Sequence, residues 1–304
     1  MLTHQKSIGH IACFIAYAIF GVNIIVCKDL TSSNAISPIA LFCLRSIFAG
    51  AIFWLISCFM PSEKVERKDY VKIFAASVLG FFLTQLTFLM AIPLITPLDC
   101  SIVSSLSPIY TMIIAAIVLR EPITFKKAGG VALSLVGILY LILNSTTGTG
   151  GITQSQPIGI ILMILNSLCF SLYLGIFKPT ISRYSPVTFM KWIFLFSTLL
   201  SLPIAGSEII TIDYGALPQA FIFELSFLII FATFITYLLI PIGQQRIRPT
   251  LVSMYSYVQP IIAIVISIYI GMDTLSWQKV LAAAMVFGGV TLVTRSRSAK
   301  DKVT

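Results

Sequence analysis

Residues 97–137 read PLDCSIVSSLSPIYTMIIAAIVLREPITFKKAGGVALSLVG, and residues 249–289 read PTLVSMYSYVQPIIAIVISIYIGMDTLSWQKVLAAAMVFGG. Laid over one another without a gap, the second stretch repeats the first at an offset of 152 residues. Pro97, Ser101, Ser104, Pro108, Glu121, Thr124, Phe125, Lys127 and Gly137 return as Pro249, Ser253, Ser256, Pro260, Asp273, Ser276, Trp277, Lys279 and Gly289. Upstream the register drifts: Gly9 and Lys28 return as Gly159 and Lys178, and Ser37-Pro38 as Ser185-Pro186. Each half of the chain holds five apolar stretches. An odd number of spans turns the second copy upside down in a membrane, the arrangement of inverted-repeat transporters with a substrate site between the copies.

Composition sets the class. The chain is 58% hydrophobic and 10% charged over 304 residues, with a mean hydropathy of +0.99. Soluble domains carry roughly 25% charged residues, so this much apolar surface calls for a bilayer. The expected spans cover 9–27, 36–59, 71–92, 98–119, 126–143, 157–177, 186–206, 218–240, 249–270 and 276–294. Most run to about 20 residues, the length of a helix across a 30 Å hydrocarbon core. The expected fold is therefore all-α: ten transmembrane helices as two inverted five-helix repeats, 1–150 and 151–304. The six cysteines show no metal-ligand spacing and are read as packing residues.

The net charge of +9 is an orientation device and implies no nucleic-acid partner. With the amino terminus inside, the inner side collects Lys6, Lys64, Arg67, Lys68, Lys72, Arg120, Lys126, Lys127, Lys178, Arg183, Lys191, Arg246, Arg248, Arg295, Arg297, Lys300 and Lys302. Only Lys28 and Lys279 fall outside, and Arg45 lies within the second span. The positive-inside rule then places both termini in the cytoplasm of a cell-membrane protein.

Pro108 and Pro260 fall near mid-span in the fourth and ninth stretches, where proline removes a helix hydrogen bond and bends the axis. Ser101, Ser104 and Pro108 share a face, as do Ser253, Ser256 and Pro260. Those serines serve equally well to repair the kinks or to line a cavity. Tyr255 and Gln259 add a polar ridge. Tyr17 and Asn23, Thr84 and Gln85, Asn166 and Tyr173, and Thr236 and Tyr237 supply further polar groups in four other spans. Asn and Gln are costly in lipid and turn inward. The candidate substrate-binding set is Tyr17, Asn23, Gln85, Ser104, Pro108, Asn166, Tyr173, Tyr237, Ser256, Gln259 and Pro260.

Arg45 calls for an acidic partner, Asp99 by depth or Glu224 as the alternative. The same two acids are the ones placed to carry a coupling proton. The Arg120–Thr124 turn and its counterpart Met272–Ser276 read as structural, with Thr124 and Ser276 capping the following helices. Gly130 with Ser134, and Ala284 with Gly288, form small-residue pairs suited to close helix contact, within the chain or in a homodimer. No glycine-rich phosphate loop occurs, and the histidines, His4 and His10, sit at the amino terminus. Neither an enzyme, a cofactor nor a metal is expected.

These residues resemble the EamA branch of the drug/metabolite transporter superfamily. Phe20-Gly21-Val22-Asn23 is similar to its W-G-x-N pattern, with Phe20 for the Trp. Ser107-Pro108 followed by Arg120-Glu121, Lys127 and Gly137 is similar to its second pattern, echoed by Gln259-Pro260, Asp273 and Gly289. The resemblance spans the whole chain. It implies ten helices in two inverted repeats, a shared central cavity, and ATP-independent transport of small metabolites such as amino acids or drug-like compounds, with export the expected direction. Alternatives are a nucleotide-sugar or sugar-phosphate antiporter, which needs more basic residues than Arg45 in the cavity, and a membrane scaffold or receptor, which needs larger loops.

Overall fold

The computed structural model describes residues 2–32, 36–119, 125–145, 155–212, 218–271 and 276–295. The turns 120–124 and 272–275, most of the linker 144–156 and the last basic residues lie outside them. The described residues are nearly all helical, with no strand among them. In order come α1 (Leu2–Ser32), α2 (Pro38–Cys58), α3 (Arg67–Ser77), α4 (Thr84–Ala91), α5 (Pro97–Ser104), α6 (Ser107–Leu119) and α7 (Phe125–Ser145). Then come α8 (Pro157–Ile176), α9 (Lys178–Ile181), α10 (Pro186–Thr211), α11 (Gln219–Phe227), α12 (Thr236–Arg246), α13 (Pro249–Met254), α14 (Val258–Tyr269) and α15 (Trp277–Arg295).

Several starts come from local chemistry. Ser37, Thr96 and Ser185 each accept a hydrogen bond from the backbone N–H three residues on, and a proline opens each helix in turn. The hydroxyl satisfies one stranded N–H, and proline has none to strand. Among the described residues seven helical stretches are long and apolar enough to cross a membrane: Lys6–Thr31, Pro38–Cys58, Arg67–Leu94, Pro97–Ile114, Pro157–Ile176, Pro186–Ile210 and Gln219–Arg246. Ten were expected. The other three correspond to shorter apolar helices, Ala128–Gly137, Leu251–Ala263 and Val280–Gly289. Lys126 and Lys127 open α7, and a 3-10 turn at Tyr255–Tyr257 interrupts the ninth stretch.

Packing between the first and second halves of the chain comes in matched pairs. The first helix, α1, lies against α12 and α14, and its counterpart α8 lies against α4 and α6; α2 packs on α10 and α7 on α15. One counterpart pair touches directly, Gln85 bonding Tyr237, and Ser46 bonds Thr198 where α2 meets α10. At the α7–α15 contact, a Cβ on Gly289 would collide with the Gly130 carbonyl oxygen, so only glycine permits this approach. Ser134 donates to the Val286 carbonyl there. The Gly130–Ser134 face is thus used inside the chain, and Gly289, rather than Gly288, meets it.

Lys28 and Lys178 do one job twice. The Lys28 ammonium donates to the carbonyls of Ile92 and Pro93, and that of Lys178 to those of Gln244 and Ile247. Cations at helix carboxyl ends satisfy carbonyls that lack an N–H partner. Burial pushes the Lys178 ammonium down from its ordinary value. Phe53, Phe81, Phe194 and Tyr237 form a buried aromatic cluster, with Phe81 and Phe194 centroids 4.3 Å apart.

Candidate functional site

Two wide helical turns and two helix breaks shape the site. The segments Val78–Leu83 and Leu228–Ile235 are π-helical, and the hydroxyls of Thr84 and Thr236 donate to carbonyls five residues back, Leu79 and Phe231. A π turn inserts a residue and rotates the helix beyond it, often at functional positions. Gln85 and Tyr237 stand just beyond these two turns, and the Gln85 Nε2 donates to the Tyr237 hydroxyl at 2.7 Å.

At Pro108 the fourth stretch is interrupted as well as bent: α5 ends at Ser104 and α6 begins at Ser107. Proline has no N–H for the Ser104 carbonyl, and the Ser107 hydroxyl donates to it instead, at 3.0 Å. Ser104 is on the wall of the central cavity and Ser101 is not. Ser101 donates to its own helix at Leu98. In the second half, α13 ends at Met254 and a 3-10 turn leads into α14, where Pro260 is the third residue.

Between these features lies a cavity of about 50 Å³, lined by fourteen residues from both halves of the chain. Eight of the eleven candidate residues are on its wall: Tyr17, Asn23, Gln85, Ser104, Asn166, Tyr237, Ser256 and Gln259. Pro108, Tyr173 and Pro260 are buried nearby and are not on the wall. Tyr173 lies flat against Gly80, where an added Cβ would collide with the ring. The wall also holds Phe20, Thr84 and Ser107, together with Ile24, Phe88 and Phe170, which the pattern of polar residues leaves out. The latter three stand three or four residues from Phe20, Gln85 and Asn166, one helical turn along the same faces.

The wall is partly unsatisfied. The Tyr17 hydroxyl, the Gln85 Oε1 and the Ser256 hydroxyl are buried with no hydrogen-bond partner. Asn166 is held by the Thr84 carbonyl at 2.6 Å. Buried polar groups are almost always bonded, so three unpartnered ones on one wall set this cavity apart from a packed core. About 50 Å³ takes a few water molecules and no metabolite.

Arg45 is 1% exposed, yet no carboxylate oxygen lies within 4 Å of it among the described residues. Its Nε donates to the Thr233 hydroxyl at 2.8 Å, its Nη1 approaches the Cys27 sulfur at 3.6 Å, and its Nη2 has no partner. The expected pairing with Asp99 or Glu224 does not form. Asp99 accepts from the Ser155 hydroxyl, and Glu224 is hydrogen-bonded to the Asp29 carboxyl. That acidic pair is not readable from the sequence, because Asp29 and Glu224 lie far apart in the chain.

The halves also touch at the two ends of the Arg67–Leu94 span. At one end Arg183 and Tyr184 donate to buried Asp69 at 2.6 and 2.7 Å, joined by Lys72, and Glu63 accepts from the Ser185 N–H. At the other, Thr96 N–H donates to the Ser155 hydroxyl and Gln156 N–H to the Leu94 carbonyl.

Comparison with known proteins agrees with this architecture. The profile of the EamA-like transporter family matches twice, over residues 7–143 and 157–295. An uncharacterized transporter of Archaeoglobus fulgidus is 25% identical over 266 residues, covering 88% of this chain and 92% of its own. The uncharacterized inner membrane transporter YicL of Salmonella typhimurium is 23% identical, covering 94% of each chain. An S-adenosylmethionine/S-adenosylhomocysteine transporter of Chlamydia trachomatis is 28% identical over 114 residues, 37% of this chain and 35% of its own. One crystal structure superposes with a TM-score of 0.64 at 17% identity, over 97% of this chain and 98% of that one, a likeness of fold. With two family matches covering nearly its whole length and helices built to cross a bilayer, the chain belongs to the EamA-like transporter family and is a multi-pass membrane transporter.

Proposed function

We propose that the protein is a secondary, ATP-independent exporter of small metabolites, working by alternating access between two inverted five-helix repeats, 1–150 and 151–304. One observation carries this reading. Four pairs of counterpart residues share the cavity wall: Phe20 with Phe170, Gln85 with Tyr237, Ser104 with Ser256, and Ser107 with Gln259. A pseudo-two-fold axis through the cavity accounts for all four, and the Gln85–Tyr237 bond lies on it. The twofold family match supports the same division.

The small cavity fits a contracted state, with the two sets of contacts between the halves as its gates. The substrate then enters when either the Asp69–Arg183–Tyr184 latch or the Thr96–Ser155 contact opens. The basic-residue distribution supports a cytoplasmic latch and cytoplasmic termini. The test is flux in proteoliposomes across a panel of amino acids, drug-like compounds and S-adenosylmethionine, the last because of the Chlamydia relative. Flux of at least one class, reduced by Asn23→Ala and Gln259→Ala, is expected. Flux indifferent to both substitutions would exclude this cavity as the substrate site.

A further inference from the structure

We infer that the central cavity selects substrates carrying an anionic group of the carboxylate type, with Arg45 as the fixed counter-charge behind its wall. The inference rests on the transport reading and adds the substrate class. An arginine guanidinium keeps its charge in proteins, and a buried charge without an opposite one is strongly unfavourable. Arg45 has no carboxylate within 4 Å among the described residues, although Glu224 acts electrostatically on the Cys27 that it meets. One of its nitrogens has no partner, and its other contacts are a hydroxyl and a sulfur, both neutral.

Its position ties it to the cavity. The Cys27 sulfur that Arg45 meets also donates to the Asn23 Oδ1, at 3.5 Å, and Asn23 is on the wall. Tyr237, also on the wall, lies within electrostatic reach of Arg45. The guanidinium is therefore one side chain, that of Cys27, behind the wall residue Asn23. The wall carries hydroxyl donors beside one unpartnered acceptor, the Gln85 Oε1. Those of Tyr17 and Ser256 have no partner, and that of Tyr237 accepts from Gln85 and retains its own proton to give. No acidic side chain is on the wall. Of the two acids nearest in depth, Asp99 is bonded to Ser155 and Glu224 to Asp29. Hydroxyl donors backed by a fixed positive charge in a low-dielectric site suit a carboxylate. They oppose a cation, although the rings of Phe20, Phe88 and Phe170 would otherwise suit one.

Four probes with one aromatic body separate the charge states: phenylacetate, L-phenylalanine, phenylacetamide and phenethylamine. Binding is read as thermal stabilisation of the purified full chain in detergent. Phenylacetate or L-phenylalanine is expected to stabilise it, the first alone marking a monoanion site and both marking one that accepts zwitterions. The amide and the amine are expected to do nothing. Arg45→Gln is expected to stay folded and to bind the acids at least about tenfold more weakly. Arg45→Lys keeps the charge and is expected to keep the acid preference, and Glu224→Gln to leave it unchanged. Equal binding of the amine, binding of neither acid, or undiminished acid binding by Arg45→Gln would overturn the inference. Loss of folded protein in both Arg45→Gln and Arg45→Lys would assign the residue a structural role instead. Acid binding without acid flux in proteoliposomes would sink the transport reading and leave the anion site standing.

Discussion

Gln85 and Tyr237 are counterparts that bond each other at 2.7 Å on the cavity wall. Tyr237→Phe removes the acceptor of the Gln85 amide. In a sealed core that costs about 1–3 kcal/mol; beside a cavity, water takes over the bond. Tyr237→Phe is therefore expected to fold at near wild-type yield by size-exclusion chromatography and to show reduced flux. Gly80 is the opposite case, a packing site. A methyl there would press into the buried Tyr173 ring, so Gly80→Ala is expected to cost about 1–3 kcal/mol and lower the unfolding temperature. Adding Tyr173→Leu should recover part of the loss in a double-mutant cycle. Asn23, Gln85, Asn166 and Gln259 were legible in the sequence because an amide facing lipid is expensive. Ile24, Phe88 and Phe170 were not, since an apolar side chain on a span serves lipid, core and cavity equally well. Tyr173 misled for a related reason: a phenol is mostly ring, and its ring is packed against Gly80.

Among the helices, the proline interruptions were legible, because proline removes a donor wherever it stands. The π turns were not: Thr84 and Thr236 signal them only through hydroxyls that reach five residues back, and threonine is ordinary in a span. The small-residue pairs were half legible. Gly130 and Ser134 do make a close contact, yet their partner is α15 of the same chain. A paired prediction comes from this contact. A Cβ at Gly289 would collide with the Gly130 backbone, whereas one at Gly288 meets only the Leu133 side chain at 3.7 Å. Gly289→Ala should lower the thermal stability and folded yield clearly, and Gly288→Ala should leave both nearly unchanged. Equal effects would mean that α7 and α15 are not this close.

For the whole molecule, the duplication was legible in the sequence and its packing was not. Sequence places Pro97 over Pro249; only the fold shows that α1 packs on α12 and α14 of the second half and α8 on α4 and α6 of the first. The ten-span, inverted arrangement remains the proposal that explains these exchanged contacts, alongside seven helices long enough to cross. Its orientation rests on the basic residues. A reporter fused after Thr304 should be active in the cytoplasm, and Lys68→Cys should resist an impermeant thiol reagent applied to intact cells. Ser256, whose hydroxyl lacks a partner on the cavity wall, offers the most direct test of a site that opens to both sides. With the six native cysteines replaced, Ser256→Cys would be exposed to the reagent from outside in intact cells and from inside in inverted vesicles. Alternating access through this cavity predicts reaction from both sides; reaction from one side alone, or from neither, would contradict it.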